Sequence, residues 1–237
     1  MIILTDLMLE AKRLHDRAAK DRRPVDTERL AILSGAEIVT KDQVKALMPD
    51  AKGILNIIQK VESDGRPAVL LVDTGTATRD AIVLVNTGPA DISGRALTAL
   101  ALSHSALEPA SRPVPGSKSR MVVISLPEAA VHTRENQTVT EVGTPVRHDP
   151  SGVSVAFRPM AEMGIHRLAL SLLVTEAEIH TTAEWIGAGT EEGREERLVD
   201  MLSLRAGVPS DWIATAVRRH SGHVLTANTP TTKKRAA

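Results

Sequence analysis

The pattern of the chain changes at residues 67–86, which read PAVLLVDTGTATRDAIVLVN. Two runs rich in β-branched and apolar residues, Ala68–Asp73 and Asp80–Asn86, flank the polar segment Thr74–Arg79. Apolar runs of this length, bounded by turn residues, predict a pair of buried β-strands joined by a turn. The predicted sheet begins with these two strands.

Further strands are predicted downstream, because short β-type runs alternate with connections rich in proline and glycine. These runs are 121–126, 137–142, 152–157 and 165–174. Residues 93–107 are rich in alanine and leucine, and a single helix there stays an alternative. The sequence predicts an α+β protein in which a central, mostly antiparallel β-sheet or sandwich, at about 67–174, is flanked by N-terminal and C-terminal helices.

Helical patterning dominates the N-terminal region. Apolar residues recur at three- and four-residue spacing in the first helix, at Leu4, Leu7, Ala11, Leu14 and Ala18. Asp26 and Thr40 are predicted N-caps of two short helices, because their side chains accept hydrogen bonds from free N–H groups of the first turn. A fourth helix follows Asp50 and ends before Gly65. We expect these helices to pack on the sheet or to associate with another copy of the chain.

The C-terminal part of the chain returns to helices. Thr175 and Glu178 form a capping-box pattern, and a second helix is predicted at 195–205. Ser210 is the predicted cap of a last helix through His220. The predicted regions are therefore a helical 1–65, a β-rich core at 66–174, helices at 175–223 and a disordered basic tail at 224–237.

The composition excludes several classes of function. The 29 Lys and Arg residues balance 29 Asp and Glu residues, so any contact with nucleic acid would be a local patch. The chain has no cysteine for disulfides or thiol chemistry, and only 1% of its residues are aromatic, which leaves few rings for stacking bases or planar cofactors. The N-terminus lacks a signal-peptide pattern, and no run reaches the roughly 18 apolar residues of a membrane span. We expect a cytoplasmic, intracellular protein.

Residues 70–76, Leu-Leu-Val-Asp-Thr-Gly-Thr, resemble the active-site loop of pepsin-like and retroviral aspartic proteases. In that family two such aspartates share one proton, because two adjacent carboxylates cannot both ionise. The resemblance implies a hydrolase that uses the Asp73-Thr74-Gly75 loop, with Asp73 as a catalytic carboxylate. A later strand with two apolar residues and a glycine supports the loop in that family, and its nearest counterpart here, 92–94, carries a serine. The other interpretation is a simple turn between paired strands.

Residues 198–220 resemble a helix-turn-helix DNA-binding unit. The turn glycine is Gly207, apolar Val208 follows it, and Ile213 would hold the second helix against the first. The resemblance implies that the second helix and the basic tail contact nucleic acid. The candidate nucleic-acid-binding residues are Ser210, Thr215, Arg218, Arg219, Lys233, Lys234 and Arg235.

Two residues depart from the helix-turn-helix pattern. Ser203 lies where a small apolar residue is usual, and Trp212 lies where a polar residue usually faces the DNA groove. A helix, a Gly-Val-Pro turn and a second helix are also how two packed helices are joined. Packing without DNA contact is therefore the alternative for this segment.

Other catalytic and metal signatures are missing from the sequence. Its eight histidines show no HExxH or other close ligand spacing, and no phosphate-binding glycine motif or nucleophile elbow is present. We therefore expect no metal and no cofactor.

These observations favour a non-enzymatic assembly or nucleic-acid-associated protein. It is expected to be a homo-oligomer that contacts DNA or RNA through backbone phosphates. Structural and movement proteins of viruses can share this architecture, by analogy only, and a helix-turn-helix DNA-binding regulator is a related interpretation. The alternative from another class is the aspartic-protease-like hydrolase.

Overall fold

The computed structural model describes residues 4–19, 24–47, 51–73, 80–107, 120–125, 146–148, 154–155, 159–187 and 193–214. Within these ranges the helices are α1 (Leu4–Ala19), α2 (Thr27–Leu33), α3 (Lys41–Leu47), α4 (Ala51–Ser63), α5 (Ile92–Leu107), α6 (Pro159–Leu173), α7 (Glu176–Gly187) and α8 (Arg194–Ala206). The strands are β1 (Ala36–Ile38), β2 (Ala68–Asp73), β3 (Asp80–Val85), β4 (Arg120–Ser125), β5 (Val146–His148) and β6 (Ser154–Val155). A further helical segment begins at Ser210 and is described to residue 214.

One small sheet contains the described strands, in the order β1-β3-β2-β4-β5-β6. Only β3, β2 and β4 are six residues long, and β2 lies between the other two. The pairs β2–β3, β2–β4, β4–β5 and β5–β6 are antiparallel, whereas β1 pairs with β3 in parallel. The described strands thus form a mostly antiparallel sheet inside a mixed α+β protein.

Helices cover this sheet on both faces. Val69 and Leu71 of β2 belong to a core formed with α1, α2 and the helices from α5 to α8. Leu70 and Val72 belong to a second core formed with α3 and α4. Successive side chains of a strand point to opposite faces, so a strand that is apolar at every position needs cover on both sides.

The predicted sandwich is wrong, because two of the described helices lie within 67–174. The segment Ile165–Val174 was expected to be a strand, and it forms the second half of α6 instead. From Ile165 to Leu173 all residues except Arg167 are buried. A helix buried on nearly all sides loses the alternation of polar and apolar residues, so its sequence resembles that of a buried strand. The alternative of one helix at 93–107 is confirmed by α5.

The other predicted strands have different outcomes. The strand predicted at 121–126 is confirmed by β4, and β6 occupies part of 152–157. The segment 137–142 and the tail 224–237 lie outside the described residues.

The helix caps predicted for the N-terminal region are confirmed. The Oδ1 atom of Asp26 accepts a hydrogen bond from the N–H of Arg29 at 3.0 Å, at the start of α2. Thr40 and Gln43 cap α3 reciprocally, each side chain accepting from the other's backbone N–H at 3.3 and 2.7 Å. Such caps satisfy N–H groups that have no partner within the helix.

Asn86 joins the end of β3 to the end of α4. Its backbone is left-handed, with a φ of 56°, a conformation that asparagine tolerates better than most residues. Its Nδ2 atom lies 3.0 Å from the carbonyl oxygen of Arg66 and 3.4 Å from those of Val61 and Glu62. The side-chain amide therefore donates hydrogen bonds at the C-terminal end of α4 and holds this helix against the sheet.

Replacing Asn86 with alanine should lower the free energy of unfolding by about 1–2 kcal/mol, because alanine is strained at this φ and cannot donate to the carbonyl groups. Asn86→Gly should recover part of the loss, since glycine relieves only the backbone strain. Asn56→Ala, at an exposed position of α4, is the control and should change stability little. Urea unfolding followed by circular dichroism measures all three. An Asn86→Ala protein as stable as the control would contradict this role.

Candidate functional site

Helices α7 and α8 pack on each other as an antiparallel pair, here called the α7–α8 hairpin. The predicted capping box is confirmed: the N–H of Thr175 donates to Oε2 of Glu178 at 2.8 Å, and the N–H of Glu178 donates to Oγ1 of Thr175 at 3.2 Å. Near the same end Nε of Arg205 donates to Oε1 of Glu178 at 3.1 Å. At the opposite end Arg194 donates to the carbonyl oxygen of Ala183 at 3.3 Å. Contacts at both ends thus fix the two helices relative to each other.

A buried histidine connects the hairpin to α1. The side chain of His15 is only 1% exposed. Its Nδ1 atom lies 3.2 Å from the carbonyl oxygen of Leu172, and its Nε2 atom lies 3.6 Å from Oε2 of Glu178. The carboxylate of Glu178 therefore lies at the start of α7, beside both α1 and the end of α8. The side chains of His15 and Glu178 are both largely shielded from solvent, at 1% and 11% exposed.

Three large apolar side chains of the hairpin face solvent. Trp185 is 72% exposed, Leu204 is 85% exposed and Met201 is 38% exposed. The inward positions of the same helices are already filled by Ile179, Ile186, Leu198 and Leu202. The core of the hairpin therefore does not need the three outer residues, which are here called the hairpin patch. Trp185 lies near the end of the hairpin where Arg194 contacts Ala183, and Leu204 lies near the opposite end, where Arg205 contacts Glu178.

The hairpin patch was missed by the sequence analysis, although a signal for it exists. At about 100° per residue, Trp185 lies roughly 100° around α7 from Ile186, on the flank of the helix, where a polar residue is usual. Single exposed apolar residues are common on protein surfaces. A tryptophan at such a position is informative here because the whole chain contains only two.

The turn after α8 has the geometry expected from the helix-turn-helix resemblance. Gly207 has a φ of 64°, and its N–H donates to the carbonyl oxygen of Ser203 at 2.8 Å. The hydroxyl of Ser203 donates to the carbonyl oxygen of Val208 at 2.6 Å, which explains a serine where a small apolar residue is usual. Val208 and Ile213 are buried.

Trp212 departs from the resemblance, because it faces the interior. It is 3% exposed, and its ring centroid lies 6.4 Å from that of His166 on α6. Burial of a position that faces the DNA groove in the family favours the alternative of two packed helices. Ser210 is exposed, at the start of the last helical segment. The remaining candidates lie outside the described residues and stay predictions: Thr215, Arg218, Arg219, Lys233, Lys234 and Arg235.

The turn at Gly207 packs on the linker between α1 and α2. A Cβ atom on Gly207 would lie 2.8 Å from Cγ of Pro24 and 3.4 Å from Cδ of Arg95. Nη1 of Arg95 donates to the carbonyl oxygen of Val25 at 2.6 Å. Burial lowers the pKa of Arg95 from its usual value, and the carboxylate of Asp26 acts in the opposite direction. Arg95 therefore holds α5 to the linker on which the turn rests.

Gly207→Ala should destabilise the protein by about 2–4 kcal/mol, because the left-handed backbone becomes strained and the new Cβ meets Pro24. Gly193→Ala is a matched control, since Gly193 has a φ of 72° and no described atom lies within 4 Å of the added Cβ. This control should cost only the backbone strain, roughly 1–2 kcal/mol. Thermal and urea unfolding measure both variants. Equal losses would mean that the contact with Pro24 contributes nothing.

Asp73 is the last residue of β2, and its register partner on β4 is Arg120. One position beyond the last pair of the β2–β3 ladder, β3 carries Asp80. The hydroxyl of Ser105 on α5 donates a hydrogen bond to Oδ2 of Asp80. Two aspartates and an arginine therefore occupy neighbouring register positions at one end of the sheet.

The structure contradicts part of the aspartic-protease resemblance. Residues 92–94, the nearest counterpart of the strand that supports the loop in that family, form the first turn of α5. Thr74 and Gly75 lie outside the described residues. A catalytic role for Asp73 stays a prediction.

Among the described residues, no group of three or more His, Asp or Glu side chains could hold a metal ion. Within the same part of the chain, no helix combines the length and the apolar character needed to cross a bilayer. Comparisons with known proteins give no match to a family model, a curated protein or a solved structure. A function can therefore be inferred only from the chain's own contacts and surfaces.

Proposed function

We propose that the protein is a non-enzymatic assembly protein whose copies associate through the hairpin patch. The observation that carries this proposal is the 72% exposure of Trp185 on a helix pair whose core is already filled. Tryptophan is enriched at the energetic hot spots of interfaces, and exposed apolar surface rimmed by polar residues is typical of interaction sites. Full burial of the Trp185 and Leu204 side chains would contribute roughly 1.5–3 kcal/mol each.

The charges of the hairpin support a second copy of the chain as the partner. Helix α7 carries acidic residues and no Lys or Arg, whereas α8 carries both signs, including three arginines. Glu184 on α7 and Arg197 on α8 are both exposed. A two-fold axis brings the same surface of two copies together, so α7 of one copy can lie against α8 of the other with opposite charges facing.

Leu204→Glu should shift the protein towards the monomer, because the interface would then bury an unpaired carboxylate. Ile92→Glu is the matched control, since Ile92 is 59% exposed on α5, outside the hairpin, and this variant should associate like the unmodified chain. Sedimentation velocity over a concentration series measures the association. In the unmodified chain, Trp185 emission should move to shorter wavelength as association proceeds, while buried Trp212 supplies a constant background.

Two outcomes would contradict the assembly proposal. The unmodified chain could remain a monomer at every concentration, which removes self-association altogether. Alternatively, Ile92→Glu could dissociate the oligomer as fully as Leu204→Glu, which would place the interface elsewhere.

A finer proposal adds association with DNA or RNA through the C-terminal segment. Its support is the exposure of Ser210 at the start of a helix that buries Trp212 and Ile213 on its other side. The residues proposed to contact phosphates are Ser210, Thr215, Arg218, Arg219, Lys233, Lys234 and Arg235. The two proposals are compatible, because the hairpin patch and the residues proposed to contact phosphates have no member in common.

Replacing Arg218 and Arg219 with alanine should weaken nucleic-acid binding and lower the slope of log affinity against log salt by about 1 for each phosphate that is no longer neutralised. The paired substitution of Arg13 and Arg17, which are exposed on α1, is the control with the same change of charge. Electrophoretic mobility shift at several salt concentrations measures the effect. No shift with the unmodified chain, or equal effects of the two variant pairs, would contradict the finer proposal.

The alternative, a hydrolase that uses the Asp73-Thr74-Gly75 loop, has less support. The observation in its favour is the position of Asp80. Asp80 on β3 and Asp73 on β2 both lie one position beyond the last register pair of these two strands, Val72 and Ala81. A proton-sharing pair needs two carboxylates that repel each other. On the other side of Asp73 the register position belongs to Arg120, and an arginine is not the partner that a proton-sharing pair requires. We therefore prefer assembly.

A further inference from the structure

A cleft lies between α1 and the helices α2, α5 and α6, and its volume is about 240 Å³. Six leucines form most of its wall: Leu7, Leu14, Leu33, Leu102, Leu168 and Leu172. Ala11 and Ala106 complete the apolar part of the wall. The lining contains no aromatic ring, so the cleft is suited to saturated chains and offers nothing on which a planar ligand could stack.

The size of the cleft fits one short alkyl chain. A water molecule takes about 30 Å³ in the liquid, so the cleft holds about eight such volumes, or roughly eight methylene groups of similar size. Side chains that border an unfilled apolar space have fewer neighbouring atoms on that side. An alkyl chain in the cleft would supply the missing neighbouring atoms.

Three polar residues complete the lining of the cleft: Glu10, Ser34 and Ser105. The hydroxyl of Ser34 donates to the carbonyl oxygen of Leu30 at 2.8 Å, and the hydroxyl of Ser105 donates to Asp80. Both hydroxyl hydrogens are therefore already used, and the lone pairs of these oxygens remain as acceptors.

The charge in the lining has one sign. Glu10 is exposed and adds a carboxylate, which lies 3.4 Å from Nη1 of Arg13 in an exposed pair. Such exposed pairs are weak and exchange readily with other cations. The polar part of the cleft thus presents acceptors and a negative charge, which suits a cationic head group that donates hydrogen bonds.

We propose that this cleft binds a primary alkylammonium of about eight carbons, with the chain among the leucines and the ammonium group at Glu10, Ser34 and Ser105. This site is separate from the hairpin patch and does not depend on assembly. Its ligand class follows from an aliphatic wall combined with a polar lining that accepts hydrogen bonds.

The full chain should bind n-octylamine at a single saturable site, measured by isothermal titration calorimetry below the micellar concentration and at neutral pH. n-Butylamine has the same head group and should bind about 100-fold more weakly, because four methylene groups are no longer buried. Sodium octanoate has the same chain length, and it should bind at least tenfold more weakly because its carboxylate meets the carboxylate of Glu10. No saturable binding of octylamine, or equal binding of octanoate, would overturn the proposal.

Variants locate the site in the cleft. Ala106→Leu fills the space and should abolish octylamine binding, while its melting temperature shows that the protein is folded. Ala177→Leu, at an exposed position of α7, is the matched control and should bind normally. Glu10→Gln should lower the affinity for octylamine and reduce the ratio of the octylamine affinity to the octanoate affinity. Glu28→Gln, at an exposed position of α2, should change neither quantity. Normal binding by a folded Ala106→Leu protein would place the ligand elsewhere and refute the assignment.

Leu204→Glu separates this proposal from the assembly proposal. The variant changes the hairpin patch and leaves the cleft intact, so it should bind octylamine with unchanged affinity. Loss of octylamine binding in Leu204→Glu would mean that the alkyl chain binds the patch, and the cleft assignment would be wrong.

Discussion

The burial of β2 on both of its faces is the constraint on which the rest of the structure depends. From Ala68 to Val72 no residue of β2 is more than 6% exposed. A strand that is apolar at every position cannot leave either face to water. Helices α3 and α4 therefore lie on one side, and α5 covers the other side with α6 packed on it. Because α5 and α6 are themselves apolar on most sides, they require an outer layer, which α1, α2 and the α7–α8 hairpin supply.

Local features of the fold could be predicted from the sequence because their causes are local. A helix cap depends on residues within about three positions of each other, and Asp26, Thr40 and Thr175 all cap as predicted. The paired strands β2 and β3 followed from two β-branched runs and the turn between them. Helix α6 could not be predicted in the same way. Its residues from 165 to 173, apart from Arg167, are buried. This burial depends on which elements pack around the helix, and the local sequence does not reveal them.

The two tryptophans show why the candidate sites were harder to predict than the elements that carry them. The helix-turn-helix resemblance put Trp212 on the outer side, and it is buried beside His166. Trp185 was not singled out from the sequence, and it is exposed. Helical spacing tells which residues share a face, but it does not tell which face meets the core. The cleft between α1, α2, α5 and α6 is a further example, since its leucines come from four helices that meet only in the folded chain.

The anchoring of the hairpin bears directly on its suitability as an interface. Association costs free energy when side chains and segments must become ordered, and a surface that is already rigid avoids much of this cost. The carboxylate of Glu178 contacts Thr175 and Arg205 and lies beside buried His15, so one residue fixes α7, α8 and α1 together. Leu204 immediately precedes Arg205 on α8, and its position is fixed with that arginine. The helices that carry the hairpin patch are therefore held in place by contacts within the chain. In the proposed association, the same residues on an unanchored segment would lose more free energy to ordering than they lose on the hairpin.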